Sequence, residues 1–235
     1  MTLHFFREIT DKINTYIDAQ PAATRVELQE LYKTNGYNST YNYTNQYMLE
    51  HFKKHYQPNA GNTLATDELI NEYTDKVPSL LIEIWKSAGF GKYNNGLIEI
   101  IHPKEYESSL WTWLGTEKEN YTPFAMTAFG ELFYYRKLSE SEEDVCIVDL
   151  QYRKIETLIW SLESFFDDFL VHEEDKKLWL REELFKEAIS EFEELKNGDV
   201  FTFVPIIAFG GAEELMYIQV GNARVYQDLV FQMTS

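Results

Sequence analysis

The spacing of apolar and polar positions changes along the chain, and each change marks an element. Between residues 78 and 88, Leu80, Leu81, Ile84, Trp85 and Ala88 recur at helical spacing and give a helix one apolar face. Pro78 suits its first turn, where the missing N–H has no intrahelical partner to lose. Gly89 stands where a left-handed C-cap belongs. Residues 90–96 carry Gly91, Asn94, Asn95 and Gly96, all tolerant of positive φ, and read as a turn. Residues 97–101 alternate around Glu99 and predict a strand, stopped by His102 and Pro103. Helix, tight turn and strand within 78–103 form the organising stretch of the chain. Gly89, Gly91 and Gly96 do not make a phosphate loop of it. Such a loop follows a strand and opens a helix, and it ends in Lys-Ser/Thr, which is missing here.

Upstream, Phe5, Phe6, Ile9, Ile13, Tyr16 and Ile17 form an apolar stripe at helical spacing. Thr24 with Glu27 forms a capping box for a second helix. Residues 34–44 are rich in Asn and Tyr and read as a loop. A third helix over 45–56 places His51 and His55 one turn apart, without the third ligand a metal site needs. Residues 1–57 are therefore expected to be an N-terminal helical extension. Past a turn at 58–62, Thr66 caps a short helix through Tyr73, and 103–114 predicts another. Strands follow at 123–128, 132–136, 145–150 and 155–160, joined mainly by short turns. With 97–101 they make about five strands, the pattern of a mainly antiparallel sheet flanked by helices.

From Ser161 the period returns to helical, with Leu162, Phe165, Phe166, Phe169 and Leu170 inside. Over 178–195, Leu180, Leu184, Ala188, Phe192 and Leu195 form an apolar stripe. Glu183, Glu187, Glu191 and Glu194 form a second stripe, a solvated face. A strongly apolar strand over 200–208, a short strand over 215–220 and a last helix through Met233 complete the chain. The reading is an α+β protein in three parts: 1–57, an α+β domain at 58–160 and a second α+β domain at 161–235.

Composition narrows the function classes. The chain has 235 residues, 44% hydrophobic and 16% aromatic, as in a well-packed globular protein. Without an apolar leader or a run of membrane-spanning length, it is expected in the cytoplasm. The single cysteine, Cys146, excludes an internal disulfide or a cysteine zinc cluster, and its apolar neighbours predict burial. The net charge is −18, and residues 139–199 hold most of it, with 19 acidic against 7 basic side chains. Such a field repels nucleic acid and anionic membranes and attracts a basic partner. No catalytic constellation, cofactor motif or metal-ligand spacing stands out.

Four stretches resemble known families. PSLLIEIWKSAGFGKYNNGLIEIIHPKEY at 78–106, FAMTAFGELFYYRK at 124–137 and VDLQYRKIETL at 148–158 are similar to the GAD-like (GAD-related) domain, over about residues 52–160. FVPIIAFGGAEELMYIQVGNARVYQDLVFQM at 203–233 resembles the C-terminal domain of type VI secretion DNase immunity proteins, over about 161–235. Both in this order cover roughly three quarters of the chain; residues 1–51 lie outside. The resemblance implies a cytoplasmic bacterial immunity protein that binds a cognate nuclease toxin and has no chemistry of its own. The family offers no catalytic residue to carry over. The positions shared with it, Trp85, Gly89, Gly91, Gly96, Gly130, Gly210 and Gly211, read as structural.

An inhibitor of a phosphate-binding enzyme should present acid where its target presents Lys and Arg. The expected partner-binding residues lie in the acidic segment: Glu142, Glu143, Asp144, Asp167, Asp168, Glu173, Glu174 and Asp175, with Tyr152 and Trp179 as aromatic anchors. Two alternatives stay open on the residues alone. One is a non-catalytic module that binds a small ligand or a regulatory protein. The other is an enzyme that uses clustered carboxylates with a metal.

Overall fold

The computed structural model describes residues 52–140, 142–192 and 194–234. The expectations for residues 1–51, including the Thr24 capping box, the 34–44 loop and His51, lie outside these.

Helix α1 (Asp67–Tyr73) starts as its sequence predicts: the Thr66 hydroxyl accepts a hydrogen bond from the Leu69 N–H at 3.3 Å. Helix α2 (Ser79–Ser87) buries Leu80, Leu81, Ile84 and Trp85. It ends at Gly89, whose φ is +78° and whose missing Cβ would stand 2.5 Å from the Thr63 carbonyl oxygen. Both facts demand glycine there.

The glycine-rich turn after α2 is more than a turn. Gly91–Tyr93 forms strand β1, which pairs with β2 (Ile98–Ile100) around the left-handed Asn94 and Asn95. Helix α3 (Pro103–Leu114) opens on its proline and stops at the left-handed Gly115. Then come β3 (Tyr121–Thr127), β4 (Leu132–Lys137), β5 (Glu143–Asp149) and β6 (Lys154–Ile159). Every neighbouring pair is antiparallel, and the six strands lie in chain order, with β1 and β6 at the edges. This is the mainly antiparallel, helix-flanked sheet of an α+β fold, with one strand more than the spacing predicts.

Ser161 caps α4 (Leu162–Ser164), its hydroxyl accepting from the Ser164 N–H at 3.0 Å, and the chain continues as a π-helical turn over Phe165–Phe169. The helix expected over 178–195 is divided. Helix α5 (Glu173–Trp179) and α6 (Glu182–Glu191) meet at Arg181, whose φ of +48° lies in the left-handed region. The break turns Arg181 inward; of the expected stripe, Leu180, Ala188 and Leu195 are buried, Leu184 and Phe192 are half-buried, Phe185 is buried beside them, and no residue of α5 is buried.

The strand expected at 200–208 stops at Phe203. Strand β7 (Asp199–Phe203) pairs antiparallel with β8 (Ile218–Asn222), and α7 (Ala223–Thr234) follows. Between them Gly211 would carry a Cβ only 1.9 Å from the Pro205 carbonyl oxygen, so the 204–217 connection folds tightly on itself.

Residues 161–234 cover both faces of the six-stranded sheet. On one face Met126, Leu132, Tyr134, Cys146 and Val148 share a core with Tyr106 and Leu110 of α3, Val200 of β7, and Ala223, Tyr226 and Val230 of α7. On the other, Phe165 meets Phe124 and Phe133 edge-on at 5.2 and 5.0 Å, and Phe166 meets Phe52 at 4.8 Å. These rings add directional contacts to a large buried area. The backbone joins the layers too: the Phe201 N–H donates to the Ala128 carbonyl at 2.8 Å.

Candidate partner-binding surface

The acidic segment does not form one patch. At the start of β5, Glu143 accepts from the Tyr135 hydroxyl at 2.7 Å and from the Leu162 N–H at 3.1 Å. Asp144 is buried and takes a two-pronged contact from Arg136, at 2.7 and 2.6 Å. Its charge is cancelled inside the protein. Glu142 is exposed, and its carbonyl closes the turn by accepting from the Leu138 and Ser139 N–H groups. Asp168 is exposed and Asp167 half-buried, beside the phenylalanines of the π-helical turn. Glu173 and Glu174 are exposed and Asp175 half-buried in the first turn of α5, where carboxylates suit the helix dipole. Glu173 pairs with Lys176 at 2.6 Å and Asp175 with His172 at 3.1 Å.

Tyr152 and Trp179 do come together, at the other end of β5, about 20 Å of strand from Glu143. They line a cavity of about 390 Å³ with Glu131, Asp149, Lys154, Glu156, Leu178, Arg181 and Glu213. Its inner wall is a buried charge network. Arg181 donates to Glu131 at 2.9 Å and to Glu213 at 2.8 Å. Glu131 is fully buried and also accepts from the Thr127 hydroxyl. The Arg181 guanidinium lies 5.7 Å over the Phe129 ring. Asp149 accepts from the Gln151 and Tyr152 N–H groups at 3.0 and 3.1 Å, which fixes the turn that carries Tyr152. The Tyr152 hydroxyl donates to Glu213 at 3.0 Å. Burial pushes the Glu131 and Asp149 carboxyls above the ordinary range, with Arg181 pulling the other way.

Sequence reading misses Glu131, Arg181 and Glu213 because three separate loops carry them. The one available signal is the position of Arg181 inside an apolar stripe, where a charge needs a buried partner.

A second buried pair ties the C-terminal part to the sheet. Lys92 and Glu99 meet at 2.6 Å, both nearly inaccessible; Glu99 also accepts from the Gly198 N–H at 2.9 Å, and Lys92 donates to the Asp199 carbonyl. A third feature is an apolar groove of about 310 Å³ between β7, β8 and α7, lined by Phe203, Val204, Phe209, Val225, Leu229 and Met233 among others. It shares no residue with the charged cavity. No helix among the described residues is long and apolar enough to cross a membrane.

Two family models match the chain. Residues 47–148 match the GAD-like domain, and residues 161–234 match the C-terminal domain of the T6SS immunity protein Tdi1. No curated protein matches. Among solved structures, Atu4351 from Agrobacterium tumefaciens superposes with a TM-score of 0.60 at 14% identity, over 78% of this chain and 88% of that one. At that identity the likeness concerns the fold.

Proposed function

From a chain that carries a GAD-like domain followed by the C-terminal domain of a type VI secretion immunity protein, we propose an inhibitor that binds a cognate nuclease toxin through acidic surface and occludes its substrate site. The match over 161–234 carries the immunity reading. The charge supports an acidic surface directed at a nuclease. A chain at −18, with 19 acidic side chains in one 61-residue segment, attracts a protein whose own site is lined with Lys and Arg. Asp144 and Glu131 are taken up in ion pairs inside the protein, whereas Glu142, Asp168 and Glu174 stand exposed at the surface, where a basic partner could meet them. Binding alone would neutralise the toxin, and the protein would act in the cytoplasm, where a nuclease finds its substrate.

The test is co-expression with the nuclease encoded beside it, scored by survival, followed by purification of the complex. Protection with a stable complex supports the reading. Cells that die at the same rate with and without the protein, and no complex on a sizing column, would end it.

A further inference from the structure

We propose that the cavity walled by Tyr152 and Trp179 is a receptor for one cationic side chain, an arginine or lysine, presented by the toxin. This rests on the immunity reading for the identity of the partner, though not for the chemistry of the cavity.

Four carboxylates, Glu131, Asp149, Glu156 and Glu213, face two cationic side chains, Arg181 and Lys154. The inner cation is already committed: Arg181 is 7% exposed and holds Glu131 and Glu213. The outer cation is loosely held. Lys154 is exposed, stands 4.0 Å from Glu156 and lies 6.0 Å from the Tyr152 ring centre. Glu131 is fully used, one oxygen by Arg181 and the other by the Thr127 hydroxyl. Glu213 meets Arg181 and Tyr152 through one oxygen, and Asp149 meets its two backbone N–H groups through one. Each of these two keeps a second oxygen to give, as does Glu156. The mouth of the cavity thus keeps an excess of acceptors.

Aromatic walls then select among cations. A guanidinium or ammonium over Trp or Tyr gains from the ring quadrupole, and more so where water is excluded. The protein makes the same contact with its own residues, Lys154 over Tyr152 and Arg181 over Phe129. The size agrees, since about 390 Å³ takes a side chain and not a folded segment. The surroundings suit a docking surface. Tyr152 is 50% exposed, Leu178 66%, and Trp160, just past the edge strand β6, 75%. Apolar anchors ringed by charge are what protein interfaces are built from.

The experiment has two arms. In the first, the full chain labelled at its tryptophan indoles is titrated with the peptide Ac-Gly-Arg-Gly-NH2 and with the same peptide carrying citrulline, the neutral isostere. The Trp179 indole signal, assigned by its loss in Trp179→Phe, should shift with the arginine peptide, saturating at millimolar concentration, and stay still with citrulline. Equal shifts from both, or none from either, overturn the proposal. In the second arm, affinity for the toxin found in the co-expression assay is compared for the wild type, Trp179→Leu, Glu213→Gln and, at the apolar groove, Val225→Ser. A loss of tenfold or more confined to the first two variants, with their melting curves still cooperative, supports it. Unchanged affinity in Trp179→Leu, or a loss confined to Val225→Ser, removes the toxin from this cavity. If the arginine peptide shifts Trp179 while no toxin binds the wild type, the immunity reading has failed and the cation site stands.

Discussion

At the scale of single residues, the buried ion pairs among the described residues make the loss of one partner costly. Lys92 and Glu99 are removed from water together, as are Glu131 and Arg181. Removing one partner strands the other charge, which typically costs about 3–5 kcal/mol, whereas replacing both with apolar side chains costs far less. Lys92→Met should therefore lower urea stability by about 3–5 kcal/mol, and Lys92→Met with Glu99→Leu should recover most of it. Recovery of nothing would mean that Glu99 matters for the Gly198 contact rather than for charge. The same carboxyls set a pH dependence. Burial raises Glu99 and Glu131, so each binds its proton more tightly folded than unfolded. Between the ordinary carboxylate range and the raised folded value, the native state holds more protons, and stability falls as pH rises. Urea midpoints should be higher at about pH 5.5 than at about pH 8. Glu131→Gln should flatten that slope even if it lowers the midpoints.

Elements come next. Their ends are written in residues that the sequence displays: Thr66 and Ser161 as caps, Gly89 and Gly115 as left-handed stops. Gly89→Ala should destabilise by more than about 1 kcal/mol, because the left-handed backbone and the Thr63 carbonyl both oppose a Cβ. A melting temperature unchanged from wild type would show that the α2 end can shift. Phe165 packs against Phe124, Phe133, Phe166 and Phe169, so Phe165→Ala should cost about 3–5 kcal/mol by chemical denaturation. A small effect would mean that the π-helical turn collapses into the cavity. Strand β1 and the break at Arg181 are the elements that sequence spacing does not show. A three-residue strand has no period to detect, and Leu180, Leu184 and Ala188 keep helical spacing in the sequence across the break, which hides it.

For the whole molecule the governing quantity is charge. A field of this sign steers a basic partner and is screened by salt. The association rate with the toxin should fall at least about tenfold between roughly 0.01 M and roughly 1 M salt, as the screening length drops from about 30 Å to about 3 Å. The dissociation rate should change far less, because packed contacts at the centre of an interface are not screened. An association rate indifferent to salt would argue against acidic steering.

The sequence by itself determined the order and type of most elements, the antiparallel sheet and the family resemblance. These depend on short-range facts: side-chain period, cap residues and positive-φ glycines. It also located the acid, but only as a count along the chain. Which acidic groups face water is a matter of packing. Asp144 lies under Arg136, Glu131 under Arg181, and the two ends of β5 place Glu143 and Tyr152 far apart. The cavity of Tyr152 and Trp179 gathers side chains from residues 131, 149–156, 178–181 and 213. Only the tertiary structure could bring those segments together, because the forces that hold them act through space, with no repeat in the sequence to announce them.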